Sequence, residues 1–342
     1  MAASKEKPVY TAYIIAGNKK FNVTPALVSV DRNEAEGQIA QRVNLQLMNV
    51  QVKGTWISGM FQPRNRVYLY ANDGSKNDEV FRGYLWSRKY KSSSSEWDLR
   101  YTCYDNLIYF QESEDSLYFS DGKITKDVMQ SICDKWNIKL DYSYDSITHA
   151  KLPLRGKLYD LFSADILDLV KKQTGKKYVI LSDKDTMHVK HVGTNSTIYR
   201  FIGTKNVVST TSGWTMDGVI TQVVIVGKAD DEERVPVEAT VTGNTSEYGT
   251  LQKIQTKDEN TSLEDAKLEA QTTIDENGAP KWEYEITAPD IPWIRKGDKV
   301  YVDAGDIVEK FLIVTAVDRS SNNKKSEMQL TLEDVQKGAD DE

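Results

Sequence analysis

The sequence predicts a mainly β protein with an α+β insertion: two antiparallel β-barrel domains in one chain, and a smaller α/β domain between them. Three observations lead there. A strand pattern occurs once near each end, the composition favours strands, and the hydrophobic period changes in the middle and then changes back. The first copy of the pattern begins Arg66-Val67-Tyr68-Leu69-Tyr70, passes Glu79-Val80-Phe81 and closes on Trp97-Asp98-Leu99-Arg100-Tyr101. The second begins Lys299-Val300-Tyr301-Val302, passes Glu309-Lys310-Phe311 and closes on Met328-Gln329-Leu330-Thr331-Leu332. Phe81 to Asp105 is 24 residues and Phe311 to Asp334 is 23, so the spacing nearly repeats. If one β-module is used twice, Phe81 should match Phe311, and Trp97-Leu99-Tyr101 should match Met328-Leu330-Leu332.

The elements follow in order. Residues 10–15 and 21–23 flank Gly17-Asn18-Lys19-Lys20, a hairpin turn by composition. A strand over 27–32 comes next, and Val43, Leu45 and Leu47 alternate with Asn44 and Gln46 as a half-buried strand does. Residues 71–79 and 92–95 are polar hairpin tips. These features make residues 1–119 a first β-barrel domain. The period then becomes helical, because Ile124, Val128, Ile132 and Trp136 recur every four residues. Residues 138–142 read as a strand, Ser163 as the N-cap of a helix over 164–174, and Gly175 as its stop. A hairpin over 178–181 and 186–192 completes an α+β middle domain at 120–205. Strand character returns in 206–336, the second barrel domain. Residues 219–226 are apolar enough for burial on both faces, and Asp230-Asp231-Glu232-Glu233 reads as an exposed turn. One helix interrupts: Thr261 and Glu264 form a capping box, Leu263, Ala266, Ala270 and Ile274 share a face, and Asn277-Gly278 ends it. Trp282, Tyr284 and Ile286 then alternate with charged residues as a strand, and 337–342 is expected to be a mobile tail.

Composition narrows the function. The 342 residues include 18 Tyr and 7 Trp, typical of strands, and too long a chain for one ordinary core. No run approaches the length of about 18–20 apolar residues that spans a bilayer. The polar N-terminus lacks a signal peptide's apolar run, so synthesis in a cytoplasm and release by lysis are expected. The net charge of −7 is uneven: residues 1–150 carry +1, 151–205 carry +6 and 206–342 carry −14. The acidic last third argues against a nucleic-acid binder, whose phosphate affinity needs a concentrated basic surface. The basic middle suits an acidic partner or the acidic third of a neighbouring copy.

Chemistry is scarce. Cys103 and Cys133 lack redox or zinc spacing and read as small buried hydrophobes. His188 and His191 stand three apart in a predicted strand, on opposite faces, and His149 lies in a loop, so none of the three shares a metal by spacing. The run from Asp73 to Glu79 resembles the start of a calcium loop, yet Asp78 and Tyr84 stand where Gly and Glu are required. Carboxylates at Glu112, Glu114 and Asp115, or at Asp141 and Asp145, are the candidates for a glycosidase-type pair. Trp56, Trp86, Trp97, Trp214, Trp282 and Trp293 are candidates for sugar stacking, but their alternating strand positions make them core residues. The sequence nominates no catalytic, cofactor-binding or metal-ligating residue and no cofactor.

The segment Tyr104-Asp105-Asn106-Leu107-Ile108-Tyr109-Phe110 closes the first repeat, the helix over 124–136 follows, and Asp160-Leu161-Phe162 leads into the second helix. With the closing run Ile294-Arg295-Lys296-Gly297-Asp298-Lys299-Val300-Tyr301-Val302 and Phe311-Leu312-Ile313-Val314, this order resembles the central baseplate hub proteins of contractile phage tails and R-type bacteriocins, the XkdQ/YqbQ-like, late-control-D-like group. The likeness covers most of residues 30–335. Ile108 departs from the basic residue expected after the leucine.

The resemblance implies two tube-type barrels with smaller α/β elements, and a homotrimer at the centre of a baseplate in a virion or phage tail-like particle. Its implied partners are tail tube-type proteins, the spike, other baseplate proteins and the C-terminus of the tape measure, with no membrane and no specific nucleic acid. It implies a structural role without catalysis. Three chains with two similar barrels each would present a pseudo-six-fold ring to a six-fold tube and a true three-fold axis to a spike. The competing expectations are a tail-associated cell-wall hydrolase using paired carboxylates, and a carbohydrate-binding adhesin.

Overall fold

The computed structural model describes residues 7–35, 37–93, 97–227, 235–258 and 261–335. The turn read at Asp230-Asp231-Glu232-Glu233, part of the serine tip at 92–95 and the tail at 337–342 lie outside them. The described residues form two compact units, one within Met1–Thr211 and Tyr284–Glu342, the other within Ser212–Glu283. The fold is mainly β with an α+β insertion. No described helix is long and apolar enough to cross a membrane.

In the larger unit, β1 (Val9–Ala16) and β2 (Lys19–Asn22) form the expected hairpin, Ala16 opposite Lys19 across Gly17-Asn18. β3 (Leu27–Glu34), β4 (Arg42–Leu47), the short hairpin β5 (Gln51–Val52) and β6 (Thr55–Trp56), and the turn of helix α1 (Ile57–Met60) follow. β7 (Arg66–Asn72), β8 (Asn77–Ser92) and β9 (Trp97–Tyr104) complete the first module, with strand order β3-β4-β9-β8-β7-β1-β2. Ile14, Val43, Leu45, Val67, Leu69 and Leu99 line one core at essentially zero exposure. Among the described residues, only the single turn α1 and a 3-10 turn at Thr24–Ala26 lie over that core as helix. A sheet face this dry, with only that much cover, must be rolled onto itself, which is why the module is a barrel.

The roll leaves one position with no room. A Cβ on Gly83, in β8, would lie 2.1 Å from the Tyr104 carbonyl oxygen and 2.6 Å from the Phe81 ring. Gly83→Ala is therefore expected to cost at least about 2 kcal/mol in urea denaturation, since backbone rather than a flexible side chain must move. A loss within the ~0.5 kcal/mol of an ordinary surface change would show that the strand shifts freely.

Helix α2 (Ile108–Glu112), β10 (Glu114–Phe119), β11 (Lys123–Ile124), helix α3 (Thr125–Lys135), β12 (Lys139–Ser143), β13 (Thr148–His149) and β14 (Leu152–Lys157) lead through the middle. The next helix differs from expectation. It begins as α4 (Leu158–Asp160), widens into a π-helical stretch (Leu161–Leu167) and ends as α5 (Asp168–Thr174), with Gly175 at φ +70° as the stop. Ser163 is inside it, donating 2.9 Å to the Tyr159 carbonyl instead of capping. Leu161, Phe162, Ile166 and Leu167 all turn into one core along this stretch, and all four are buried. β15 (Tyr178–Asp183) and β16 (Thr186–His191) pair across Lys184-Asp185, both at positive φ as a tight hairpin turn requires. β12 joins β16 in parallel. This core also takes in Ile39, Leu107, Ile108 and Phe110. Ile108 is 2% exposed, so a basic side chain there would be buried among hydrophobes.

β17 (Tyr199–Ile202) and β18 (Ser209–Thr215) precede the smaller unit. There β19 (Gln222–Val226) is central between β20 (Val237–Thr242) and β21 (Gln252–Thr256), which explains its apolar run. Helix α6 (Thr245–Tyr248) is a single turn. Helix α7 (Leu263–Asn277) lays Ala266, Ala270 and Ile274 on Val223 and Ile225, as its period predicts. Its cap is one residue later than expected: Ser262 Oγ accepts from the Asp265 N–H at 3.1 Å.

The second module returns to the larger unit with β22 (Lys281–Pro289), β23 (Lys299–Ala304), β24 (Ile307–Asn322) and β25 (Ser326–Asp334). β22-β25-β24-β23-β17 repeats the order β4-β9-β8-β7-β1, except that β17 runs parallel to β23 whereas β1 is antiparallel to β7. Both modules carry a bulge at the same place, between Leu85 and Ser87 and between Val314 and Ala316. The repeat is real, but its register differs from the sequence match. Leu85 corresponds to Val314 and Cys103 to Leu332, which brings Leu99 onto Met328 and Tyr101 onto Leu330. Phe81 then corresponds to Lys310, and Phe311 to Arg82. Phe81 faces the first core at 3% exposure, while Phe311, opposite Tyr301, is 48% exposed. A one-residue slip exchanges the faces of a strand, and matching by residue type alone does not detect it.

Candidate functional site: the joint between the two barrels

The two barrels meet where β24 outruns β23 and pairs with β3, from Val317 opposite Glu34 to Asn322 opposite Ser29. This seam places Arg319 directly across from Arg32, both buried. On β3, Val30, Arg32 and Glu34 alternate onto the buried face, so charges occupy positions the period reserves for hydrophobes.

The loop between β22 and β23, residues 290–298, supplies their partners. Arg32 Nη2 donates to the Pro292 carbonyl, and Arg319 Nη2 to those of Ile291 and Ile294. Arg319 Nε lies 3.1 Å from Asp290 Oδ1, and Tyr10 donates to Asp290 Oδ2 at 2.5 Å. Arg295 Nε donates to Glu34 Oε1 at 2.7 Å, and Gln41 Nε2 does the same at 2.7 Å. Arg295 also reaches the Ser182 carbonyl of the middle hairpin, at 3.2 Å. Trp293 packs against both barrel cores and donates to Asp73 at 2.7 Å. Gly297 sits at φ +87° with no space for a Cβ beside Val179. One loop thus ties both barrels and the middle hairpin together.

Burial would raise the Glu34 carboxyl, but Arg295, Arg319 and Arg32 together hold it down at about 2. Burial and the facing Arg319 bring Arg32 down to about 10. Asp105 accepts N–H bonds from Gln41 and Leu107, 2.9 Å each, yet its burial pushes it up to about 7. Burial likewise raises Asp298 to about 6, against the Arg295 N–H that it accepts at 2.8 Å. Such an arrangement fixes geometry; it presents no exposed nucleophile.

The residues singled out in the sequence lie apart from this joint. Asp115 is paired with Lys135 at 2.7 Å, Asp141 with His188 at 2.9 Å, and Asp145 with His191 at 3.4 Å. Glu112 closes α2 and Glu114 opens β10. His149 is buried against Thr125 Oγ1 at 2.9 Å, and burial lowers its pKa. The Asp73 run is a hairpin tip held by bonds from Ser75 and Lys76 to Asp73. The tryptophans correct the core reading: Trp56, Trp86, Trp214 and Trp282 are 41%, 39%, 63% and 47% exposed. Trp86 is the bulge residue of β8, and a bulge breaks the alternation on which that reading relied. The Trp97 side chain lies outside the described residues.

Cys103 and Cys133 are free and buried, and burial raises both thiols, Cys133 to about 12. A thiol-reactive dye is expected to label neither in native protein and both after denaturation; prompt native labelling would reveal local opening. A cleft of about 350 Å³ lies between the middle helix and β24, lined by Tyr159, Asp168, Lys171, Tyr178, Lys296 and Glu333 among others. Its acids are engaged, Asp168 by the Tyr178 hydroxyl at 3.0 Å and Glu333 by Lys177 at 2.8 Å.

A sequence profile of the YQBQ-like family matches residues 36–333, which begin just after β3 and take in the 290–298 loop and the strands from β4 to β25. The chain belongs to the YQBQ-like family. The fold of this YQBQ-like chain is also that of solved tail proteins. It is similar to the 43 kDa tail protein of prophage MuSo2 from Shewanella oneidensis, with TM-score 0.71 and 13% identity over 95% of this chain and 98% of that one. A tail protein from Neisseria meningitidis MC58 gives TM-score 0.68 and 13% identity over 95% and 96%. Prophage tail protein gp18 from Listeria monocytogenes EGD-e gives 0.58 and 10% over 94% of each chain. No curated protein matches the sequence. The YQBQ-like chain thus shares the fold of these tail proteins, and the 294–298 part of its closing run lies in the joint loop.

Sequence reasoning missed Arg32, Glu34, Asp290 and Arg319. For Arg32, Glu34 and Arg319 the signal is the inward parity they share with Val30 and Val317, while Asp290, in the loop, carries none.

Proposed function

We propose that this protein is the central hub of a contractile tail baseplate, a homotrimer whose six barrels form a pseudo-six-fold ring. The observation that carries the reading is the pair of topologically matched barrels locked into one sheet by the β3–β24 seam. A rigid joint is what symmetry matching needs, because two barrels that swivelled could not present a fixed hexagonal outline. The ring would meet the tail tube on one side and the spike on the other, with the tape measure's C-terminus and other baseplate proteins as neighbours. The protein acts without catalysis, is made in a bacterial cytoplasm and leaves by lysis within its particle. In this reading 1–119 and 206–336 are the barrel domains and 120–205 the middle domain. The corrected register supports the barrel equivalence, although the residue pairs first matched are not the equivalent ones.

Electron microscopy of particles should place three copies beneath the tube; six copies, or a peripheral position, would overturn the reading. Assembly is expected to weaken as salt rises from about 0.1 to 1 M, because the +6 middle and −14 last third would then be screened. Assembly indifferent to salt would remove charge docking from the proposal.

A further inference from the structure

The two barrels are equivalent in topology, so what differs between them is informative. On the outer face of the first barrel, Arg66, Tyr68 and Arg82 form a spot that the chain itself covers. The β15–β16 turn inserts Asp185, 2.5 Å from Arg66 and 3.4 Å from Arg82. The corresponding positions of the second barrel are Lys299, Tyr301 and Phe311. There Tyr301 and Phe311 stack edge to face at 5.3 Å, Arg200 lies over the Tyr301 ring at 4.0 Å, and Phe311 is 48% exposed. The 193–195 turn holds the Lys299 end of this spot, Asn195 Oδ1 accepting from the Lys299 N–H at 2.6 Å, and leaves the Phe311 ring half exposed.

The reverse asymmetry lies between β4 and β7. The first barrel inserts the β5–β6 hairpin, turning at Lys53-Gly54 and exposing Met48, Val50, Val52 and Trp56 at 49%, 38%, 36% and 41%. The matching stretch of the second barrel is the buried loop of the joint. One barrel therefore has a projecting apolar hairpin with its own spot covered, and the other has an open aromatic spot with no hairpin.

We infer that the β5–β6 hairpin of one copy seats on the Tyr301–Phe311 spot of the next, a head-to-tail contact that closes the proposed ring. A heterologous contact needs two different patches per chain, and these two are on different barrels. Charge complements the fit. The hairpin tip carries exposed Lys53, and β8 of the same barrel exposes Lys89 and Lys91, whereas the end of β23–β24 carries Asp303, Asp306 and Glu309. An apolar centre with opposite charge at the rims is the anatomy of a specific interface.

The inference rests on the trimer reading, and light scattering on purified full-length protein separates the two. Phe311→Asp and Val52→Asp should each raise the apparent dissociation constant of the trimer at least about thirtyfold, as loss of a central anchor does. Lys53→Glu and Glu309→Lys should each weaken it, and the double variant should regain most of the loss. That recovery is a readout that a merely structural role would not give, and it decides the matter if Phe311→Asp fails to fold. A trimer unchanged in natively folded Phe311→Asp and Val52→Asp, or a double variant no better than the singles, overturns this contact and leaves the ring standing. A wild-type chain that stays monomeric at every concentration overturns both.

Discussion

Replacing Arg295 with methionine is expected to destabilise the protein by about 3 kcal/mol at pH 7. Glu34 is 3% exposed and ionised because three guanidiniums face it. Removing the one that contacts it leaves a buried carboxylate with the Gln41 amide, the Lys296 N–H and two more distant arginines. The cost falls at the low end of the range for broken buried pairs, because the Arg295 side chain is itself a fifth exposed. The mechanism has its own signature. Without Arg295 the Glu34 pKa should rise, so the deficit should shrink as pH falls toward 4, and Glu34→Gln with Arg295→Met together should recover part of it. A deficit independent of pH between 4 and 8 would mean that Arg295 contributes packing rather than charge.

Stability should pass through a maximum in mildly acidic solution. Asp105 is fully buried with its pKa raised from 3.8 to about 7, and Asp298 is raised to about 6. Between the ordinary and raised values the folded state holds protons that the unfolded state has released. Stability therefore falls as pH rises from about 4 to 7. At about 1.4 kcal/mol per unit, the two groups amount to several kcal/mol. Glu34 acts in the opposite sense: lowered from 4.5 to about 2, its contribution is present above pH 4.5 and lost as pH falls toward 2. Urea denaturation across pH 3–9 should find the maximum near pH 4–5, and Asp105→Asn should flatten the alkaline side. A plateau from pH 5 to 8 would show that Asp105 stays ionised on its two N–H bonds.

The contrast between the two ends of the chain shows what sequence reading reaches. Strand β4 and the start of β7 were legible because Val43, Leu45 and Leu47 alternate with Asn44 and Gln46, and Val67 and Leu69 with tyrosines, whereas Ala71 and Asn72, read as part of the polar tip, continue β7. The turn at Gly17-Asn18 and the stop at Gly175 were legible because positive φ selects glycine. Ser163 misled because its hydroxyl can bond back to a carbonyl as readily as cap an N–H, and only the buried neighbours Leu161 and Phe162 decide which. The charged joint was not legible at all. Arg32 and Arg319 look like solvated strand residues until a strand nearly three hundred positions away lies beside them.

By itself the sequence determined that a β-module occurs twice around an α+β insertion, and which residues alternate within each strand. Those are consequences of local period and turn chemistry, which act over a few residues. Only the tertiary structure decided the register of the repeat, the face that Phe311 presents, and the use of Arg295 and Glu34 as a lock between barrels. Each depends on which strand stands alongside, and a one-residue shift in that pairing changes the face of every side chain while leaving the local pattern intact.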